Sequence, residues 1–291
     1  MGDALIKLLN VIALMAMMLS IGLTVKYEQV VASIRQTRLV ALALLANFVL
    51  IPLITVGLLA GFQAQPLVSA GFLILAVCPG APVGPPLAAI AKGNVAVATG
   101  LMVILAALSA VLSPALLSIL LARISPEGNL HADYLAIVQS LLITQLLPLG
   151  LGLAIHHWAP WFTRGVVKPI GILANVLLLG LVGLIVAVQH ETLAAIRFRG
   201  WAGMILLLLA SLGIGWGCGG RDLSNRKALA TTTATRNLAV GLVIAGGNFA
   251  GTPAVTAVVA YGLVSIVGAL GCALLLGRYV AIEPKNAHIR P

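Results

Sequence analysis

The chain has 291 residues, of which 61% are hydrophobic and only 8% charged, with a net charge of +10 and a mean hydropathy of +1.13. Soluble domains carry about 25% charged residues, so this composition excludes a soluble enzyme or binding domain and points to an integral membrane protein. The basic excess does not imply nucleic-acid binding, because Lys and Arg are scattered through short loops without interleaved aromatics, the pattern of topology-setting charge.

Apolar runs of about 20 residues predict nine transmembrane helices. In chain order they lie near Leu5–Thr24, Leu39–Phe62, Leu67–Ala91, Val95–Ala122, Tyr134–Trp158, Pro169–Val188, Trp201–Cys218, Ala228–Gly247 and Pro253–Tyr279. The first run lacks a basic leader and a small-residue cleavage site, so it reads as a retained span. Val25–Thr37 and Gln189–Gly200 mix charge with apolar residues and read as interfacial connections. His156 and His157 fall at a helix end, where interfacial anchoring is expected, and Thr144, Gln145 and Asn175 are expected to pack between helices. Cys78, Cys218 and Cys272 are far apart with no metal-like spacing, so they read as small buried residues.

An N-terminus outside and a C-terminus inside gathers most cations on one side. The inner segments then hold Lys26, Arg35, Arg38, Lys92, Arg164, Lys168, Arg221, Arg226, Lys227, Arg278, Lys285 and Arg290. The outer ones hold only Lys7, Arg123, Arg197 and Arg199. That asymmetry predicts a multi-pass protein of a plasma or bacterial inner membrane with a cytoplasmic C-terminus.

Two spans are interrupted, one at Cys78–Pro86 and one at Thr231–Asn237. Proline cannot donate a backbone hydrogen bond and lipid offers no replacement, so a broken helix survives only inside protein or beside a wet cavity. Paired interruptions mark the binding site of many secondary transporters. The breaks fall at equivalent places if residues 1–291 form one transporter domain of two inverted five-helix repeats. Residues 1–123 would be the first repeat, lacking its first helix, and 134–280 the second.

Several motifs occur in order along the chain: Gly22-Leu23-Thr24-Val25-Lys26, Asn47-Phe48 with Pro52, and Cys78-Pro79-Gly80. They continue through Ala91-Lys92-Gly93-Asn94-Val95-Ala96, Ser113-Pro114 and Arg236-Asn237. In these motifs the chain resembles the bile acid:sodium symporters. The resemblance implies an all-α fold of a panel domain and a core domain, with two broken helices crossing in the core. It also implies organic-anion transport, commonly with sodium. Auxin efflux carriers, similar in fold and with a proline-centred crossing, offer a sodium-free comparison. The sodium ligands of the resembled family are not matched. Gly84 and Pro85 stand where it places a small hydroxyl residue and an asparagine, and Ala98 and Met102 replace hydroxyl ligands. Thr232 aligns with its acidic ligand, Arg236 with a glutamine, and Asn47 with a glutamine of the second helix.

Independently, the seven acidic residues Asp3, Glu28, Glu127, Asp133, Glu191, Asp222 and Glu283 all fall in predicted loops or tails. Sites for hard cations are built from oxygen ligands, often carboxylates, and none remains inside the predicted spans.

Arg236 lies about eight residues into its helix, roughly 12 Å deep. Burying an arginine there costs about 2.5–3.5 kcal/mol on insertion scales. It is expected either to replace sodium as a fixed cation facing an anionic substrate, or to tie up backbone carbonyls freed by the breaks. Asn237, an amide that donates and accepts, would serve a substrate or cap a half-helix. Thr232, Thr235 and Asn47 are candidate cavity residues, with hydroxyl bonding to helix carbonyls the alternative for the threonines. Val83 and Gly84 are the candidate backbone donors to an anion. Pro79, Gly80, Pro85 and Pro86 are expected to shape the crossing. The sequence thus predicts a sodium-independent carrier of a small or amphipathic organic anion, working by alternating access in membrane lipid. A sodium-coupled symporter with altered ion sites and a transport-dead sensor are the alternatives. No enzyme chemistry, metal site or cofactor is expected.

Overall fold

The computed structural model describes residues 2–124 and 132–278, with side chains from Ile6 onward. Glu127, Glu283, Lys285, Arg290 and the end of the last predicted span at Tyr279 lie outside the described residues. The described chain is helical throughout. In order it forms α1 (Gly2–Thr24), α2 (Tyr27–Arg35), α3 (Thr37–Leu45), α4 (Ile51–Gly61), α5 (Pro66–Ala76), α6 (Gly84–Ile90) and α7 (Val95–Ile124). There follow α8 (Tyr134–Leu141), α9 (Leu147–Trp158), α10 (Pro160–Val188), α11 (His190–Ala194), α12 (Phe198–Cys218), α13 (Leu223–Ala234), α14 (Leu238–Asn248) and α15 (Pro253–Arg278).

Eight helical stretches of the described residues are long and apolar enough to cross a membrane, and Pro66–Ala76 is a shorter apolar helix. That short helix and α6 are the two halves of the remaining predicted span. Two crossing stretches are continuous only through a wider turn. Ala46–Leu50 joins α3 to α4 and Leu142–Leu146 joins α8 to α9, both as π-turns. Pro52 and Pro148 follow these turns and lack the N–H that would close the ordinary ladder, so the helix relaxes by one residue there.

Several boundaries differ from expectation for physical reasons. The first break is confined to Val77–Val83, and Gly84, Pro85 and Pro86 form the first turn of α6. First-turn amides have no intrahelical acceptor, so proline costs little there. The second break is confined to Thr235–Asn237, because Thr231–Thr233 continue α13. The sixth span begins at Pro160 rather than Pro169, which sits inside the helix. The interfacial stretches contain the short helices α2 and α11.

The helices pack as two groups. In the first, α1 lies against α9 and α10. Gly22 and Gly152 meet at this seam, and a side chain on Gly22 would strike the backbone at Leu149. His156 Nδ1 meets the Leu23 carbonyl at 2.5 Å beside it, with the ring of His157 5.8 Å from that of Tyr27. In the second group, α5 packs on α15, α13 on α6 and α12, and α6 on α7, with α3 and α4 along α12. Asn175 faces outward on α10 rather than packing between helices.

Candidate functional site: the crossing of two broken helices

Breaking α5 at Ala76 frees the carbonyls that would have accepted from the next turn. Each buried carbonyl left unpaired costs about 1–3 kcal/mol, so the crossing is organised around supplying donors. Arg236 Nη1 donates to the Ala76 carbonyl at 3.3 Å. Ser113 Oγ, from the middle of α7, donates to Val77 O. The Asn237 amide donates to Cys78 O at 2.8 Å, and Asn237 Nδ2 to Gly80 O at 3.4 Å. The second break thus satisfies the first.

Asn237 also caps α14, its Oδ1 accepting from the Val240 amide at 3.3 Å. Arg236 closes the C-terminal end of α13 through Nη2 to Thr233 O at 2.7 Å. Gly80 adopts φ +82°, and a Cβ there would lie 2.5 Å from the Ala106 amide nitrogen. Only glycine permits both the left-handed turn and the approach of the crossing to α7.

The threonines bond within their own helix. Thr232 Oγ1 donates to Ala228 O at 2.8 Å and Thr235 Oγ1 to Thr231 O at 3.0 Å. These bonds satisfy the hydroxyl protons inside α13, which stays helical through Ala234. Thr233 is the exception, its hydroxyl accepting from Asn47 Nδ2 at 3.3 Å. Asn47 therefore reaches the second broken helix from the π-turn of its span. Gly84 lies against Thr232, with 3.0 Å available between its notional Cβ and the Thr232 methyl.

Of the two expected backbone donors, the Gly84 amide is engaged, bonding Ala81 O at 3.0 Å. The Val83 side chain packs against a small buried cluster that includes Leu87, Leu208 and Ala234. Pro79 and Pro85 are buried, whereas Pro86 is exposed on α6.

Of the residues singled out from sequence, Asn47, Gly80, Arg236 and Asn237 meet around the crossing through hydrogen bonds, and Thr232 lies against Gly84. Sequence reasoning gave Ser113 no role and did not single out Tyr261. Ser113 is one position before Pro114, an intrahelical proline whose unusual place was the available signal. Tyr261 is fully buried and its ring lies 5.5 Å from that of Phe72. Gln145, in the second π-turn, reaches out of the first helix group to Ala106 O and to Ser109 Oγ on α7, the latter at 3.0 Å. Thr144 beside it bonds Ser140 O in its own helix.

Three groups around the crossing are buried with unspent hydrogen-bonding capacity among the described residues: Arg236 Nε, a donor, Asn47 Oδ1, an acceptor, and the Tyr261 hydroxyl. Arg236 is 1% exposed. No Asp or Glu occurs between Glu28 and Glu127 or between Asp222 and Glu283, so both broken helices and their flanks lack a carboxylate to neutralise it.

An all-helical membrane-spanning chain centred on two crossed, interrupted helices has the architecture of a secondary transporter. The family model described as "Sodium Bile acid symporter family" matches residues 11–196, well over half of the chain. The chain belongs to that family. No curated protein matches it. The matched stretch contains the first broken helix and ends before α12, so the segment carrying Arg236 lies beyond it.

Proposed function

We propose that the protein is a secondary carrier of a small or amphipathic organic anion that works without sodium. The observation that carries this reading is Arg236: a fully buried cation with an unspent Nε–H at the crossing and no carboxylate in the surrounding helices. A cation about 4 Å from the guanidinium would be repelled by about 4 kcal/mol at an effective dielectric near 20. That exceeds the contribution of one or two neutral oxygen ligands. Those oxygens are also engaged: the carbonyls of Ala76, Val77, Cys78 and Gly80 accept from Arg236, Ser113 and Asn237. The same charge attracts an anion, and Nε–H is a ready charge-assisted donor.

In this reading Arg236 both holds the crossing and binds substrate, with Asn237 and Asn47 beside it. Thr232 and Thr235 contribute hydroxyl lone pairs only, because their protons are committed to the helix. The helix group of α1 and α8–α10 acts as a panel against which the other group moves. Residues 1–123 and 134–280 are its two inverted repeats, and the N-terminus lies outside. A family of transporters with no embedded acid–base or nucleophilic cluster in this chain favours a carrier over an enzyme.

Counterflow in proteoliposomes tests the reading. Labelled organic anions, among them a bile acid, a 2-oxo acid and a dicarboxylate, are presented with and without sodium. Exchange of at least one anion in sodium-free buffer is expected. Exchange seen only with sodium would contradict the ion assignment and leave the carrier assignment standing, whereas binding without any exchange would favour a sensor.

A further inference from the structure

A second cavity lies away from the crossing. It encloses 490 Å³ between α4, α5, α12 and α15 and is capped by α11. None of its walls comes from α1, α8, α9 or α10, so it lies within the second helix group and meets the seam between the groups only at Thr256, which bonds Gln189 at the end of α10. Its volume falls within the roughly 300–1,000 Å³ of small-molecule sites. The interior is apolar, formed by Leu59, Phe62, Phe72, Met204, Leu207 and Ala260. Its deep hydroxyls are already engaged: Thr55 Oγ1 donates to Ile51 O at 2.8 Å, and Thr256 Oγ1 donates to Gln189 Oε1.

Arg197 and Arg199 line the cavity at the start of α12 and are exposed. Their placement carries a cost, because cations at a helix N-terminus oppose its dipole. Neither guanidinium has an ionic or hydrogen-bonding partner among the described residues, although Glu191 precedes them in the first turn of the capping helix. The outer surfaces flanking the cavity are apolar, with Leu53 60% and Leu209 52% exposed, as lipid-facing surface should be. An apolar interior at membrane depth beneath two unpaired guanidiniums matches an amphiphile with an anionic head and a hydrocarbon tail.

We infer that this cavity binds an anionic phospholipid, its phosphate held by Arg197 and Arg199 and one acyl chain inserted between α4 and α12. Gly203 provides the means of testing the tail. A Cβ there would sit 3.8 Å from the Phe62 ring, an ordinary contact, so a side chain added at Gly203, which lines the cavity, meets no backbone at its Cβ.

The experiment uses full-length protein in a neutral detergent. It reads thermal stabilisation and native-mass-spectrometric retention with phosphatidylglycerol, phosphatidylcholine or glycerol 1-phosphate. Phosphatidylglycerol is expected to stabilise and stay bound, with phosphatidylcholine and the tail-less phosphate much weaker. R197Q combined with R199Q is expected to weaken phosphatidylglycerol by on the order of tenfold or more. Gly203→Leu is expected to abolish retention while keeping its own melting temperature. R35Q combined with R38Q, at the other end of the bundle, is expected to leave binding unchanged. Equal retention of phosphatidylcholine, undiminished binding in either cavity variant, or loss that follows R35Q and R38Q instead would overturn the assignment. None of these readouts requires transport, so failure here is distinct from failure of the carrier reading.

Discussion

Of the two jobs that sequence alone left as alternatives, Arg236 performs the structural one, and its geometry leaves a donor for the proposed one. Its Nη atoms bond the Ala76 and Thr233 carbonyls, while Nε remains unspent. A purely structural arginine would be expected to spend its buried donors on backbone, and the unspent one is what motivates the proposed ligand role. Arg236→Gln should therefore reduce uptake by at least about tenfold per folded molecule, beyond any loss of about 1–3 kcal/mol of stability from the Ala76 carbonyl. Arg236→Lys, which keeps the charge, should retain part of the uptake. Uptake per folded molecule unchanged in the glutamine variant would reduce Arg236 to a strut. Gly80 makes a sharper structural prediction. Gly80→Ala must hold φ +82° and fit a Cβ 2.5 Å from Ala106 N, so melting temperature and yield should fall steeply; wild-type stability would show that the crossing can yield. Arg236 was legible in the sequence because charge is scarce there. Ser113 as a donor to Val77 was not, because serine within an apolar helix usually bonds its own backbone.

The ends and interruptions of the helices explain what the motifs of the family resemblance do. Lys92-Gly93-Asn94 joins α6 to α7 and fastens both to α13. Asn94 donates from its amide to Ser224 O at 2.9 Å and from Nδ2 to Asn225 Oδ1 at 3.0 Å. Gly93 lies so close to α13 that a Cβ would sit 2.9 Å from Ala228 N. Asn47 with Pro52 builds a π-turn that aims an amide at Thr233. Proline and threonine runs located both broken helices, but they overstated both breaks, since first-turn prolines and back-bonded threonines remain helical. The N-terminus of α13 is fixed by Asp222, whose carboxylate accepts from the amides of Ser224 at 2.6 Å and Asn225 at 3.2 Å. The Ser224 hydroxyl first, and the Asn225 amide next, hold the Asp222 carboxyl below its ordinary value of 3.8. A depressed carboxyl stabilises the fold above its unfolded pKa, and the contribution fades as pH falls below about 3.8 toward the folded value. Asp222→Ala should lower stability by about 0.5–2 kcal/mol at neutral pH, and Asp222→Asn by less. Equal melting temperatures for wild type and Asp222→Ala at neutral pH would show that the cap does not limit stability.

At the scale of the molecule, the hydrogen bonds between the two helix groups cluster toward one end. Asp133 N donates to Asn248 Oδ1 at 3.3 Å, and Gln189 meets Thr256. Gly246 on α14 lies beside Asn10 on α1, with a notional Cβ 3.9 Å from Asn10 Nδ2. Gln145 bonds α7 nearer the crossing. If the groups move against each other during transport, these contacts must separate. A short thiol-reactive cross-linker joining Asn10→Cys and Gly246→Cys, with Cys218 and Cys272 replaced by alanine, should arrest uptake, and cleaving the linker should restore it. Undiminished uptake in the fully cross-linked protein would contradict movement at this seam. The multi-pass helical architecture was legible from hydropathy and its interruptions. The grouping of helices was not, because apolar faces seen by lipid and by protein have the same composition. The central claim is that Arg236 takes the place of a sodium ion at the crossing. Its most direct test is the initial rate of anion counterflow into proteoliposomes as sodium is replaced by choline, for wild type and Arg236→Gln. A wild-type rate unchanged by the replacement, and lost in the variant with or without sodium, is predicted. A wild-type rate that rises steeply with sodium, or a variant that keeps the wild-type rate, would contradict it.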